Sequence, residues 1–152
     1  MSDLSLTVPS IEGKDLLQRP IRIPEDLPPG PCILLFAFSP GHQGEAMTWV
    51  PSLTDIASSG TVTVRQIIVL PAFAKMGERI ALGQLSKLVP AEAHDATILA
   101  FADQGVIAKS VGATDTNHIA IVLLDAARRI SWIGSGPHET ETEAALRAQI
   151  AA

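Results

Sequence analysis

Apolar residues in this chain fall into short uniform runs that alternate with stretches of helical spacing, and that alternation predicts an α/β domain. Ile33 to Phe38 and Ile119 to Leu124 are uninterrupted apolar runs, the pattern of strands covered on both faces. Val62 to Leu70 is a β-branched run closed by Pro71, and Ala96 to Phe101 is a shorter strand. From Gly44 onward Ala46/Met47, Val50, Leu53 and Ile56/Ala57 recur at helical spacing, with Ser58-Ser59-Gly60 as the stop. Pro51 lies inside that helix and is expected to kink it, because the apolar period continues past it.

Phe73, Met76, Ile80, Leu85 and Leu88 predict a second amphipathic helix, interrupted by Gly77 and Gly83. Asp103 to Gly112 predicts a short third helix with glycine at its exit. Asp125 to Arg128 is a short polar turn into Arg129 to Ile133, so these two strands must be antiparallel. Thr140 with Glu143 predicts a capping box for a last helix through Ile150, with Ala144, Ala145, Leu146 and Ile150 available for packing. Parallel crossovers followed by a hairpin and helix predict a mixed sheet with helices on both faces. Residues 1 to 31 carry six prolines and short alternating pieces, Leu4 to Val8 and Ile21 to Ile23. They read as a lead-in of edge strand and loop before a single domain at 32–152.

Composition narrows the function. The 152 residues suffice for one core burying about 70% of the unfolded chain's surface. A 47% hydrophobic content is high, yet no run approaches the roughly 18 residues of a membrane span. The first residues lack a basic and then apolar leader pattern, so cytoplasmic residence is the expectation. A net charge of −5 with scattered Lys and Arg offers no footprint for nucleic acid. The single Cys32 excludes an internal disulfide, a Cys-x-x-Cys pair and a cysteine-rich metal site.

The candidate chemistry lies where the first strand runs into Ser39-Pro40-Gly41 and a helix start, a junction at which backbone N–H groups are unpaired. The loop holds His42, Gln43 and Glu45 and has no thiol. Cys32 precedes the strand and reads as core. A Ser39, His42, Asp125 arrangement lacks the strand-turn motif of a nucleophilic serine, and Gly134-Ser135-Gly136 has no lysine to make a phosphate cradle. Trp132 on a possible edge strand is read as core packing before partner surface.

Three stretches carry a resemblance: LLFAFSPGHQGEAMTWVPSLTDIA, ILAFADQGVIAKSVGA and HIAIVLLDAARRISWIGSG. In their order and landmarks they resemble the thioredoxin-like fold, and more closely its peroxiredoxin-like branch. Leu123-Leu124-Asp125, Arg129-Ile130-Ser131-Trp132 and Gly134-Ser135-Gly136 are most similar to the mitochondrial ATP-synthase assembly chaperone family and its bacterial relatives. The resemblance implies a central mixed sheet with helices on both faces and a C-terminal β-hairpin plus helix. It also places His42 and Glu45, or in the other register Gln43 and Ala46, where that fold carries its redox cysteines. The proline that the fold places before the strand at Ile119 is absent. With neither thiol present, disulfide exchange has no nucleophile.

The expectation is therefore a non-redox binding or assembly module with no catalytic residue and no cofactor. His42, Gln43, Glu45, Asn117 and His118 would line a groove for a protein or peptide partner. Two histidines and Glu45 do not make a convincing metal set without a further ligand, so no metal is expected. A homodimer is compatible with this reading. The alternatives are a peroxiredoxin-like thiol oxidoreductase using Cys32 and a small-ligand pocket in the same groove.

Overall fold

The computed structural model describes residues 8–113 and 116–151. The alternating piece at Leu4 to Val8 thus lies, up to Thr7, outside the described residues. Among the described residues seven strands form one sheet: β1 Ile11–Asp15, β2 Pro20–Ile23, β3 Cys32–Ala37, β4 Thr63–Leu70, β5 Thr97–Phe101, β6 Ala120–Leu124 and β7 Ile130–Ser135. Their order is β2-β1-β5-β4-β3-β6-β7. Strands β3, β4 and β5 are parallel, while β6 runs antiparallel to β3 and β7 antiparallel to β6. The lead-in joins the same sheet, β1 pairing antiparallel with β5 and β2 forming the edge.

Every residue of β3 is buried, and alternate side chains enter opposite layers. Ile33, Leu35 and Ala37 pack with α1 (Gln43–Ser58), α2 (Glu78–Leu88) and α4 (Thr140–Ala151) through Trp49, Leu53, Leu85 and Leu146. Cys32, Leu34 and Phe36 pack on the other face with Ile11, Ile23 and α3 (Gln104–Ser110) through Ile107. A strand covered this way must be apolar at every position, which is why it reads as a continuous run.

Three local expectations need correction. The first helix runs through Pro51 as expected, but its buried face is Ala46, Trp49, Leu53 and Ile56, and Val50 is 43% exposed. Trp49 offers more apolar area than Val50, and its indole N–H finds an acceptor inside. The second helix is divided, because Ala72–Gly77 winds as a 3₁₀ stretch before α2 begins. Three residues per turn stack Phe73 and Met76 on one outward side, so Phe73, Met76, Ile80 and Leu88 are exposed and Leu82 and Leu85 enter the core. The capping box does not form. Thr140 is the first helical residue, the Glu143 N–H bonds the Glu139 carbonyl at 3.0 Å, and the Glu143 carboxylate is engaged elsewhere.

The β6–β7 hairpin turns with Arg128 at φ +71°, a left-handed conformation unusual for a long side chain. Its guanidinium accounts for this by donating to the carbonyls of Leu27, Pro28 and Gly30 at 2.6–3.1 Å, which ties the turn to the lead-in. On β7 the Trp132 ring lies along the strand over Gly134, where a Cβ would come within 2.5 Å of it. Trp132 packs against the α1-side core and is half-buried.

Candidate functional site

The rim at the C-terminal end of β3 is built by side chains that fold back onto backbone groups. Ser39 starts it: its carbonyl accepts the His42 N–H and its hydroxyl the Gly41 N–H, both at 3.0 Å, winding Pro40–His42 into the 3₁₀ turn that feeds α1. His42 then turns inward, its Nδ1 accepting the Phe38 N–H at 3.1 Å. Gln43 Oε1 accepts from Gln66 Nε2 of β4 at 2.9 Å. Neither residue is directed at the pre-β6 loop.

Glu45 is directed there. One carboxylate oxygen accepts the Ile119 N–H at 3.1 Å and the other lies 2.9 Å from His118 Nδ1, across 73 residues of sequence. Burial alone would push the Glu45 carboxyl up. The His118 ring, the Ile119 N–H and the charges of His118 and His42 outweigh burial and hold it below its ordinary value. Asn117 and His118 are exposed on the same loop. Of the five expected groove residues, Glu45 and His118 are thus in direct contact, Asn117 adjoins them, Gln43 is engaged with β4, and His42 is engaged with the backbone just past β3.

Sequence reasoning missed the residues that close the rest of the rim. Gln104, at the first position of α3, donates its side-chain N–H to the carbonyls of Phe38 and, at 2.7 Å, Val69. The Ile119 carbonyl accepts the Gly136 N–H, and the Gly136 carbonyl accepts the Trp49 indole N–H, each at 3.0 Å. The Trp49–Gly136–Ile119 chain holds the pre-β6 loop from behind while Glu45 holds it from in front. Nothing in the local pattern around Gln104 or Trp49 names a partner more than 30 residues away.

Beside the rim, Glu143 ties α4 to α1. Its carboxylate accepts from Ser52 Oγ, the His138 ring and Arg147 Nε, each at 2.6 Å, and Arg147 reaches Asp55 at 2.9 Å. Those bonds from Ser52, His138 and Arg147 hold the Glu143 carboxyl far below its ordinary 4.5, at about 2. A depressed carboxyl stabilises the fold fully above the unfolded value and loses that contribution as pH falls toward the folded one. The stability difference between the native protein and Glu143→Gln is therefore expected to shrink as pH drops from 4.5 to about 2. Urea midpoints across that window check it, and a difference independent of pH would contradict it.

The remaining candidates lie apart from the rim. Cys32 is fully buried at the opposite end of β3, its Sγ 3.3 Å from Arg128 and facing the Pro28 and Gly30 carbonyls. Asp125 is consumed by its own turn, accepting the Ala127 and Arg129 N–H groups at 2.9 Å, which removes it from any triad with Ser39 and His42. Among the described residues no three of His, Cys, Asp and Glu are placed to hold a metal ion, and no helix is long and apolar enough to cross a membrane. Two concavities, of about 460 and 480 Å³, lie around the β1–β2 hairpin and Lys75. Their linings mix residues of both charges, the first including a half-buried Lys14–Glu78 pair at 3.5 Å, and converge on no reactive group.

No family model and no curated protein matches the chain. Solved structures do. Copper-bound yeast Sco1 aligns at 14% identity over 99% of this chain and 96% of its own, with a TM-score of 0.65. A putative thiol:disulfide interchange protein DsbE from Chlorobium tepidum aligns at 18% identity over 99% and 97%, with a TM-score of 0.60. The peroxidoxin BcpB from Mycobacterium tuberculosis aligns at 20% identity over 99% and 98%, with a TM-score of 0.58. These likenesses lend no support to a link with ATP-synthase assembly chaperones. Identities this low carry the fold alone. With its central parallel strands, antiparallel C-terminal hairpin and closing helix, this chain has the thioredoxin-like fold.

Proposed function

We propose that this protein is a thioredoxin-like binding or assembly module that works without thiol exchange. Its partner, a protein or peptide, docks along the rim between the start of α1 and the loop before β6. The observation that carries this reading is the Glu45 bridge to His118 and Ile119. It stands where the fold's reactive loop faces the pre-strand segment, and it joins the two walls by a polar, partly exposed contact rather than a thiol pair. One neighbour of the same fold, BsSco, is described as a member of a family of cytochrome c oxidase assembly proteins, so the scaffold is compatible with assembly work. Cys32, the thiol of the competing peroxidase reading, is sealed under Arg128.

Two measurements test this. Native Cys32 is expected to stay unreactive toward a thiol reagent until the protein is unfolded, and the Cys32→Ser variant to leave any peroxide consumption unchanged. In parallel, His118→Ala and Asn117→Ala, both at exposed positions of the pre-β6 loop, are expected to lose partners that the native protein retains in a pull-down. Rapid native labelling of Cys32, with peroxide consumption abolished in Cys32→Ser, would establish the peroxidase instead. Retention of every partner by both rim variants would remove the rim as the docking site.

A further inference from the structure

The Glu45 side chain behaves as a guest in a site made by other residues. The Ile119 N–H and the His118 ring are two donors spaced so that one carboxylate meets both, one oxygen at 3.1 Å and the other at 2.9 Å. The loop that carries them is anchored independently of Glu45. Ile119 is fully buried, and its carbonyl is pinned by the Gly136 N–H, which the Trp49 indole holds in turn through the Gly136 carbonyl. The carboxylate, by contrast, arrives at the end of a flexible side chain from the first turn of α1. Withdrawal of Glu45 would leave the Ile119 N–H in need of another acceptor. The seat is also reachable, since the side chains of Glu45 and His118 are 25% and 55% exposed.

Building on the binding-module reading, we infer that the Ile119 N–H and His118 form a receptor for a carboxylate of the partner, with Glu45 as the resident stand-in. A partner carboxylate takes both donors as Glu45 swings out toward solvent. Because Glu45 is tethered, it competes at a high effective concentration. Occupancy by a partner is therefore weak until neighbouring contacts along the rim add to it. That makes the seat a device for selecting partners that present an acidic group together with the rest of the matching surface.

The test follows the Ile119 backbone amide by NMR in the native protein, Glu45→Ala and Glu45→Gln. The probes are acetate, a blocked peptide with one internal Glu, a peptide with a free C-terminus and no acidic side chain, and sodium chloride at matched ionic strength. In Glu45→Ala, binding of at least one carboxylate is expected to tighten by about tenfold or more over the native protein. Adding His118→Ala to that variant is expected to weaken binding by about tenfold. Preference for the internal Glu assigns the ligand to acidic side chains, and preference for the free terminus assigns it to a chain end. Glu45→Gln leaves the Ile119 N–H a neutral, weaker acceptor in place of the carboxylate and serves, with a smaller tightening expected, if Glu45→Ala does not fold.

An Ile119 amide that ignores every carboxylate in folded variants, or responds equally to chloride, overturns the inference. If that happens while a peptide still shifts the Asn117 and His118 signals, the rim stands as a binding site and only its carboxylate chemistry falls.

Discussion

Trp49→Ala is expected to destabilise the protein by about 3–5 kcal/mol, a large share of the 5–15 kcal/mol that holds a domain of this kind together. The side chain is fully buried and packs edge-on against His138, with ring centroids 5.1 Å apart. Its removal opens a cavity in the layer under α1 and α4. It also releases the carbonyl of Gly136, the residue whose N–H donates to the Ile119 carbonyl, so the damage extends to the rim. Trp49→Phe separates the two contributions: it keeps most of the packing and gives up the indole bond, at about 1–3 kcal/mol. Urea unfolding followed by circular dichroism measures both variants. A loss below about 1 kcal/mol for Trp49→Ala would mean that Trp49 does not clamp this layer.

Asp15→Ala is expected to cost about 3 kcal/mol through a different mechanism. Asp15 is a fully buried carboxylate whose oxygens accept the Leu17 and Arg19 N–H groups at 2.9 Å and Arg19 Nε at 2.7 Å. Alanine there strips two backbone donors of their acceptor in the turn between β1 and β2, where Gln18 already sits at φ +67°. Because β1 pairs with β5 inside the sheet, the loss should appear as global destabilisation rather than fraying of the lead-in. Asp15→Asn keeps an acceptor oxygen for the two N–H groups and is expected to cost distinctly less. Equal losses for both variants in urea would show that the ion pair, and not the turn, carries the effect.

Elements whose environment is uniform were the legible ones. Strand β3 and the β6 run are buried on both faces, so each of their residues reports burial. The β6–β7 connection is too short for any crossover, which made its direction readable. Where one face of an element is solvated, local spacing failed to decide which face. In α1 the inward position passed from Val50 to Trp49 because of an acceptor at Gly136, 87 residues away. After β4 the 3₁₀ winding turned Phe73 and Met76 out of the core that their spacing predicted for them. Glu143, expected to cap its own helix, instead bridges to Ser52 of α1, a choice made by the packing of two helices.

The candidate site divides in the same way. That the loop after β3 carries no thiol is a property of the sequence, as is the presence of His42, Gln43, Glu45, Asn117 and His118, because residue identity needs no coordinates. Only the tertiary structure decided that Glu45 and His118 meet, that Gln43 is spent on β4 and His42 on the Phe38 N–H, and that Gln104 and Gly136 seal the remaining backbone groups. The physical reason is that the periodicity of a chain records how much of each element is buried. Which distant donor meets which acceptor depends on strand order and helix packing, and these bring together residues that no local pattern relates.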